Sequence, residues 1–387
     1  MRKPPLSGVV VLDLGQIYNG PYATFLMAMA GATVIKIEPP AGEYLRARAH
    51  IGGAGMAFAM LNSNKHSVVI DLKTPSGVDQ LKRAVRRADV LLENFAQGTM
   101  ERLGLSWPVL REINPRLIYA SGSGYGRNGP YRDYPAMDVT VQAMAGLMSV
   151  TGFPDGPPAK CGPAVCDFMG GVHLYAATVT ALYEREKTGK GGLVEVSMQE
   201  AVYPTLTSSI GLWHKTGRSE RTGNRHSGLA TSPYGVFPAA DGHVAITCVN
   251  DKHWRALATL MGTPELADDE RYMTPAARVA NLPQVEAIVS AWTSRLPREE
   301  IFQRLIAIKV PAAPVRDVAE ITADPHMHAR GALQTIDHPM LGRVSVPASP
   351  LRFEGLEPVA VAPSPALDDY AEAFRRELLG EDPAGKA

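Results

Sequence analysis

The sequence predicts an α/β fold: a large domain built on a parallel sheet with helical crossovers, and a smaller α+β domain late in the chain. Three observations predict it. Valine-rich apolar runs alternate with helix-forming stretches through the first 125 residues. A stretch rich in Gly, Arg, Ser and Thr at 215–232 breaks that texture, and a hairpin signal followed by charged amphipathic helices comes after it. Short apolar strands suit a sheet buried on both faces, and strand–helix–strand repetition implies parallel pairing through crossovers.

Residues 9–14 (VVVLDL), 33–38 (TVIKIE), 68–72 (VVIDL), 90–95 (VLLENF) and 117–121 (LIYAS) read as strands. Helices are predicted at 22–30 and 76–88, then at 136–150 and 167–187. The turn GKGG at 189–192 precedes a strand at 193–198 and a long apolar helix over 199–214. Residues 234–237 and 243–249 flank Ala239-Ala240-Asp241-Gly242 as a hairpin. Amphipathic helices run on to about 308, and the tail ends in a helix at 366–379. The predicted domains are 1–214 (large), 225–320 (small) and 326–387, which returns to the large domain.

Composition narrows the function. Lys plus Arg is 39 and Asp plus Glu is 39, so the net charge is zero. That balance gives no electrostatic reason to expect nucleic acid or an anionic membrane as partner. No secretory leader is expected from the first residues, and no apolar run reaches the ~18 residues of a membrane span. Three cysteines are not a disulfide framework, which suits a reducing cytoplasm.

The first turn, residues 15–21 (GQIYNGP), links a strand to a helix, where backbone N–H groups receive phosphates or carboxylates. Glu38 mimics the ribose-binding acid of a dinucleotide site, but the glycines do not follow G-x-G-x-x-G. Residues 121–126 (SGSGYG) form a glycine-rich loop after a strand, and neither Ser121 nor Ser123 fits a nucleophile elbow. Cys161, Cys166 and Cys248, with His326 and His328, lack the spacing of a structural zinc site, so no metal is expected. Lys36, Arg46, Arg48, Lys65, Lys73 and Arg102 are the basic residues from which a phosphate site could draw. Three acids stand near turns. Asp155 lies in the rigid turn GFPDGPP, Asp138 reads as a cap for the helix that follows it, and Asp167 begins a helix.

Taken together, the segments at 11–38, 62–77 (NSNKHSVVIDLKTPSG), 88–105, 113–126 (INPRLIYASGSGYG), 151–158 (TGFPDGPP), 181–192 and 194–202 resemble the class III CoA-transferases. That family includes formyl-CoA:oxalate and carnitine CoA-transferases. The match covers nearly the whole chain and rests on order and spacing. The resemblance implies a Rossmann-like large domain built from both chain ends, and two subunits interlocked as a homodimer. It implies transfer of CoA from an acyl-CoA thioester to a free carboxylic acid, through an aspartyl anhydride and an aspartyl-CoA thioester, with no prosthetic group. By the same resemblance the nucleophile falls on Asp155. CoA contacts fall on Tyr18, Asn19, Lys73, Asn94, Phe95, Arg102, Gly124 and Tyr125. The loops at 15–20 and 223–228 are the expected sources of oxyanion-binding N–H groups.

The chain departs from the oxalate enzymes at Tyr18, where they carry glutamine, and at Ser123, where they carry lysine. Its glycine-rich loop is shortened to 223–228. These departures point to an acceptor other than oxalate. The alternatives are an α-methylacyl-CoA racemase, whose His-Asp pair reads Met137-Asp138 here with Asp167 as the later acid, and a non-catalytic CoA- or nucleotide-binding protein. Racemisation needs two bases, and Met137 cannot be one.

Overall fold

The structure is a computed structural model and describes residues 2–381. In chain order the first elements are β1 (Val10–Asp13), α1 (Asn19–Met29), β2 (Thr33–Glu38), α2 (Tyr44–Ala47), α3 (Ala54–Asn62), β3 (His66–Val69), α4 (Pro75–Val85), β4 (Val90–Glu93), α5 (Thr99–Arg102), α6 (Trp107–Ile113), β5 (Ile118–Ser123), α7 (Asp138–Met144), α8 (Leu147–Val150), α9 (Val165–Thr188), β6 (Gly192–Ser197) and α10 (Met198–Val202). The chain divides into two compact units. Among the described residues, the first gathers those up to Ala145, then Pro163–Val202, then those from Thr322. The second gathers Gly146–Gly162 and Tyr203–Ile321.

The first unit is a six-stranded, wholly parallel sheet in the order β3-β2-β1-β4-β5-β6. This is the strand order of doubly wound nucleotide-binding sheets. Successive side chains on a strand face opposite ways, and here both faces are buried. Leu12, Ile35, Leu91 and Tyr119 join Leu81 of α4, Leu110 of α6 and Phe374 on one face. Val11, Val34, Val90, Leu92 and Ile118 join Ala23 and Met27 of α1 and Leu174 and Leu182 of α9 on the other. By length and composition α9 could cross a membrane, with a mean hydropathy of 1.3. Its packing on the sheet reads it instead as a core helix.

The described tail packs in the first unit. A hairpin (Leu333–His338 with Gly342–Pro347) leads to a last helix at Ala371–Phe374, which continues as a π turn to Leu379. The carboxylates of Asp369 and Asp368 accept the N–H groups of Ser67 (2.9 Å) and Val69 (2.8 Å), so the tail covers the open edge of β3.

In the second unit, strands Tyr234–Ala239, Gly242–Thr247 and Ala312–Pro314 form an antiparallel sheet. It packs on helices at Asp251–Leu260, Leu282–Thr293 and Arg298–Ala307 through Phe237, Ile246, Trp254, Val289 and Leu305. Two expectations change. The helix predicted at 199–214 is broken into α10, a 3-10 turn at Tyr203–Leu206 and a helix at Thr207–Thr216. Pro204 has no N–H and clashes inside a helix, so the chain changes pitch there. Residues 146–162 and 203–214, read from sequence with the large domain, pack in the second unit.

Candidate active site

Open α/β sheets bind ligands beyond the carboxyl ends of their strands, at the point where strand order reverses. Here that point lies between β1 and β4, and a cavity of about 210 Å³ opens there. Its wall begins with the loop after β1. A Cβ on Gly15 would sit 2.7 Å from Asp13 Oδ1 and 2.9 Å from the Pro21 ring, so only glycine makes this turn. The loop satisfies itself. Gly15 N–H donates to Asp13 Oδ1 (2.8 Å), Gln16 N–H to Asn94 Oδ1 (2.7 Å) and Ile17 N–H to Glu43 Oε2 (3.3 Å). Ile17 holds a φ of 65°, unusual for a β-branched residue.

The loops after β4 and β5 complete the cavity. Asn94 donates back to Gln16 O (2.9 Å) and stands beside Phe95 and Gln97. Gly124 has to be glycine, because a Cβ would lie 2.1 Å from that of Ala136. Ser123 Oγ accepts the Gly126 N–H at 2.9 Å, which makes it a turn former.

Among the described residues, Asp167 is the acid that lines this cavity. It sits in the first turn of α9 and is 8 % exposed. Burial, then the charge of Asp138, push its carboxyl up to about 7. Asp138 is held firmly. Its Oδ1 accepts the N–H groups of Cys166 (2.8 Å) and Asp167 (3.3 Å), and its Oδ2 accepts the Gln142 amide (2.7 Å). It therefore caps α9, whereas the sequence suggested α7, the helix it begins. Tyr18 stands close by. Its ring packs 5.9 Å from Phe168, and burial, then the Asp167 charge, raise its phenol above the usual value.

Of the residues expected to touch CoA, Asn19, Asn94, Phe95, Gly124 and Tyr125 line this one cavity. Lys73 and Arg102 meet elsewhere in the same unit, with Lys82, in a surface cleft of about 470 Å³ at the start of α4. The remaining basic residues are otherwise engaged. Lys36 and Lys65 are buried, Arg46 pairs bidentately with Glu38 (2.8 Å for both bonds), and Arg48 stacks on Tyr44. Glu38 is also bound by Ser67 (2.6 Å), which leaves no free carboxylate for a ribose.

Asp155 belongs to the second unit, on an exposed turn. There it lines a cleft of about 400 Å³ with Asn224, Arg225 and Glu286, the last two joined by bonds of 2.6 and 2.8 Å. The Arg221 guanidinium ties the turn down through the carbonyls of Phe153 (3.1 Å), Pro154 (3.3 Å) and Gly156 (2.5 Å).

The same hydrogen bonds narrow the expected oxyanion donors. The amides of Gly15, Gln16 and Ile17 are already taken, and so are those of Gly223, which donates to Gly152 O (3.1 Å), and Gly228, which donates to His226 Nδ1 (3.1 Å). Loops that turn this tightly use their own N–H groups to do so. Asn19 and Gly20, in the first turn of α1, are left without intrahelical acceptors for their amides.

Residues 6–369 match CoA-transferase family III. The chain is 39% identical to acetyl-CoA:oxalate CoA-transferase of Acetobacter aceti, over 98% of this chain and 97% of the other. It is 36% identical to succinate–glutarate CoA-transferase of Agrobacterium fabrum (97% and 96%) and to succinyl-CoA:mesaconate CoA-transferase of Haloarcula hispanica (98% and 97%). Among solved structures, a CAIB/BAIF family protein from Brucella suis superposes with a TM-score of 0.84 at 34% identity, covering 97% of this chain and 100% of that one. Rv3272 from Mycobacterium tuberculosis does so with 0.84 at 30%, covering 96% and 99%.

Proposed function

The chain belongs to CoA-transferase family III, enzymes acting on acyl-CoA and carboxylic acids, and from that premise we propose that Asp167 carries the acyl group and then CoA between a donor and an acceptor acid. One observation carries the assignment. Asp167 is the carboxylate in the wall of the cavity that collects five of the expected CoA contacts. Its raised pKa makes it a stronger nucleophile than an ordinary aspartate, yet leaves it substantially ionised at neutral pH. Asp155, to which the resemblance pointed, is the second reading, favoured by its rigid turn and its own cleft.

The proposed steps balance without a further reactant. The Asp167 carboxylate adds to the thioester carbonyl, the C–S bond breaks and CoA leaves as thiolate, giving a mixed anhydride. The thiolate adds to the aspartyl carbonyl and expels the donor acid as its carboxylate, giving an aspartyl-CoA thioester. The acceptor carboxylate then displaces the thiolate, and the thiolate takes the acceptor's acyl group and frees Asp167. Splitting one hard exchange into easier ones is the logic of covalent catalysis. The amides of Asn19 and Gly20 are the candidate oxyanion donors.

The cavity's 210 Å³ falls below the ~300–1,000 Å³ of sites that enclose a whole drug-sized ligand. It suits the thioester arm of acyl-CoA. The cleft of Lys73, Lys82 and Arg102 suits the phosphates. Oxalate, glutarate and mesaconate, in the names of relatives, are all dicarboxylic acids, so the proposed acceptor is a small dicarboxylic acid. The proposed assembly is a homodimer. Val172 and Tyr183 of α9 and Trp213 of the second unit are large apolar side chains left 40, 65 and 51 % exposed. The three cysteines, too few and too irregular for a disulfide framework, suit the proposed cytoplasmic location.

Incubation with succinyl-CoA and no acceptor tests the mechanism. Hydroxylamine should trap a hydroxamate on the peptide that contains Asp167, and Asp167→Ala should form none. An adduct on Asp155 would move the nucleophile there. Rapid exchange of the α-proton of a 2-methylacyl-CoA, with no adduct, would favour the racemase.

A further inference from the structure

Two lysines of the first unit are sealed from solvent, and what they hold is the wall of the cavity. Lys36 is 0 % exposed and its ammonium donates to the carbonyl of Gly15 (2.8 Å). Lys65 donates to Asp13 Oδ2 (2.9 Å), Thr24 Oγ1 (2.8 Å), Asn62 Oδ1 (3.0 Å) and the carbonyl of Pro21 (3.0 Å). Asp13 itself, also 0 % exposed, accepts the Gly15 N–H (2.8 Å) and the Thr24 hydroxyl (2.8 Å). The Gly15 residue is thus gripped at its N–H by a carboxylate and at its carbonyl by an ammonium.

Burying charges costs more than apolar packing of the same volume, so a buried ion pair is weak evidence for stability. A strand such as β2, where Val34, Ile35 and Ile37 surround Lys36, could carry an apolar residue at position 36. The lysine there instead spends its direct bond on a loop. Two residues on, that loop carries Ile17 at a φ of 65°, and such strain persists only where the surroundings over-determine it.

We propose that Lys36 and Asp13 are positioning residues, which clamp Gly15 so that Gln16–Asn19 stays in its strained shape as the wall of the acyl-CoA cavity, while Lys65 pins the start of α1. The assignment of acyl-CoA to that cavity is the reading proposed above. The clamp itself can be tested apart from it. Lys36→Met keeps the length of the side chain and removes its donor. Asp13 keeps Lys65 and Glu38 keeps Arg46, so the variant retains both neighbouring pairs.

Amide hydrogen exchange across residues 14–20 should speed up by about tenfold or more in Lys36→Met, with β4 and β5 unchanged and the melting temperature equal or higher. Titration with free CoA should show affinity weakened by about tenfold. Unchanged exchange in the loop overturns the clamp. So does faster exchange throughout the sheet, which is the signature of a merely structural lysine. Faster loop exchange with unaltered CoA affinity overturns its link to binding. Wild-type protein that binds no CoA counts against the proposed function, while the exchange data still decide the clamp. Should Lys36→Met not fold, the double variant Asp13→Ala/Lys65→Met removes the paired charges together with the acceptor of the Gly15 N–H, and is judged by the same loop exchange.

Discussion

The Oδ1 atom of Asp138 accepts the backbone N–H of Asp167 at 3.3 Å, so one acid caps the helix turn on which the other stands. The same oxygen takes the Cys166 N–H at 2.8 Å, which fixes the Asp138 charge near the Asp167 side chain. Burial is the larger cause of the high Asp167 pKa, and this neighbouring charge adds to it. Cap and charge are thus two effects of one residue, and substitutions separate them.

The first prediction is a pH profile. Attack on a thioester needs the ionised Asp167, and its carboxyl titrates at about 7 in the free enzyme. The value of kcat/KM should therefore rise through about pH 7 and level off above it. An ordinary aspartate would give a flat profile over the same range, and that result would remove Asp167 from the chemistry.

Asp138→Asn keeps an acceptor for the two N–H groups and removes the charge. The acid limb of the profile should move to lower pH, without reaching that of an ordinary aspartate, because burial remains. Asp138→Ala also removes the cap and should cost roughly 0.5–2 kcal/mol in addition. Melting curves and pH–rate profiles on both variants separate the two effects. A limb that stays in place in Asp138→Asn would mean that its charge does not act on the reaction.

Lys73→Ala and Arg102→Ala should each raise KM for acyl-CoA about fivefold and leave kcat nearly unchanged, since contacts with the nucleotide end are alike in ground and transition states. Both side chains are exposed, so the effect of each is small and shrinks as salt rises. Steady-state kinetics at low and high ionic strength check it. An equal fall in kcat and kcat/KM would put these residues at the reacting centre instead.

The sequence carried the sheet well, because alternation on strands buried on both faces leaves runs such as VVVLDL. It did not carry the capping of β3 by Asp368 and Asp369, which joins residues about 300 apart in the chain. Lys36 and Lys65 read as candidates for a phosphate site because their shared neighbour Asp13 faces Lys36 only once β1 and β2 pair, and meets Lys65 only when the start of β3 folds against them. The acid in the cavity was obscured for a similar reason. The resemblance put the nucleophile on Asp155, in a turn rich in Gly and Pro, while Asp167 read as a helix start. Its burial and its contact with Asp138 depend on α7 and α9 packing together. Pro204 is the residue within 199–214 whose chemistry marks the break between α10 and the helix at Thr207–Thr216.

The last prediction concerns stability. Asp167 has its pKa raised by folding, from the ordinary 3.8 to about 7. Between those values the folded state binds more protons than the unfolded one, so stability falls as pH rises. The contribution of this group is whole below the unfolded pKa and is lost as pH climbs to the folded one, after which it is constant. Asparagine cannot ionise and keeps the neutral, desolvated form at every pH. Asp167→Asn should therefore be more stable than the wild type at pH 8, and its advantage should be smaller at pH 5, the difference being on the order of 2 kcal/mol. Denaturant titrations of both proteins at the two pH values measure it, and the comparison cancels the titrating groups that do not couple to Asp167. An advantage that does not change with pH would mean that Asp167 is not the buried, neutralised acid described here. An advantage that grows with pH, in a protein that no longer transfers CoA, would show that the active site carries its acid at a cost to the fold.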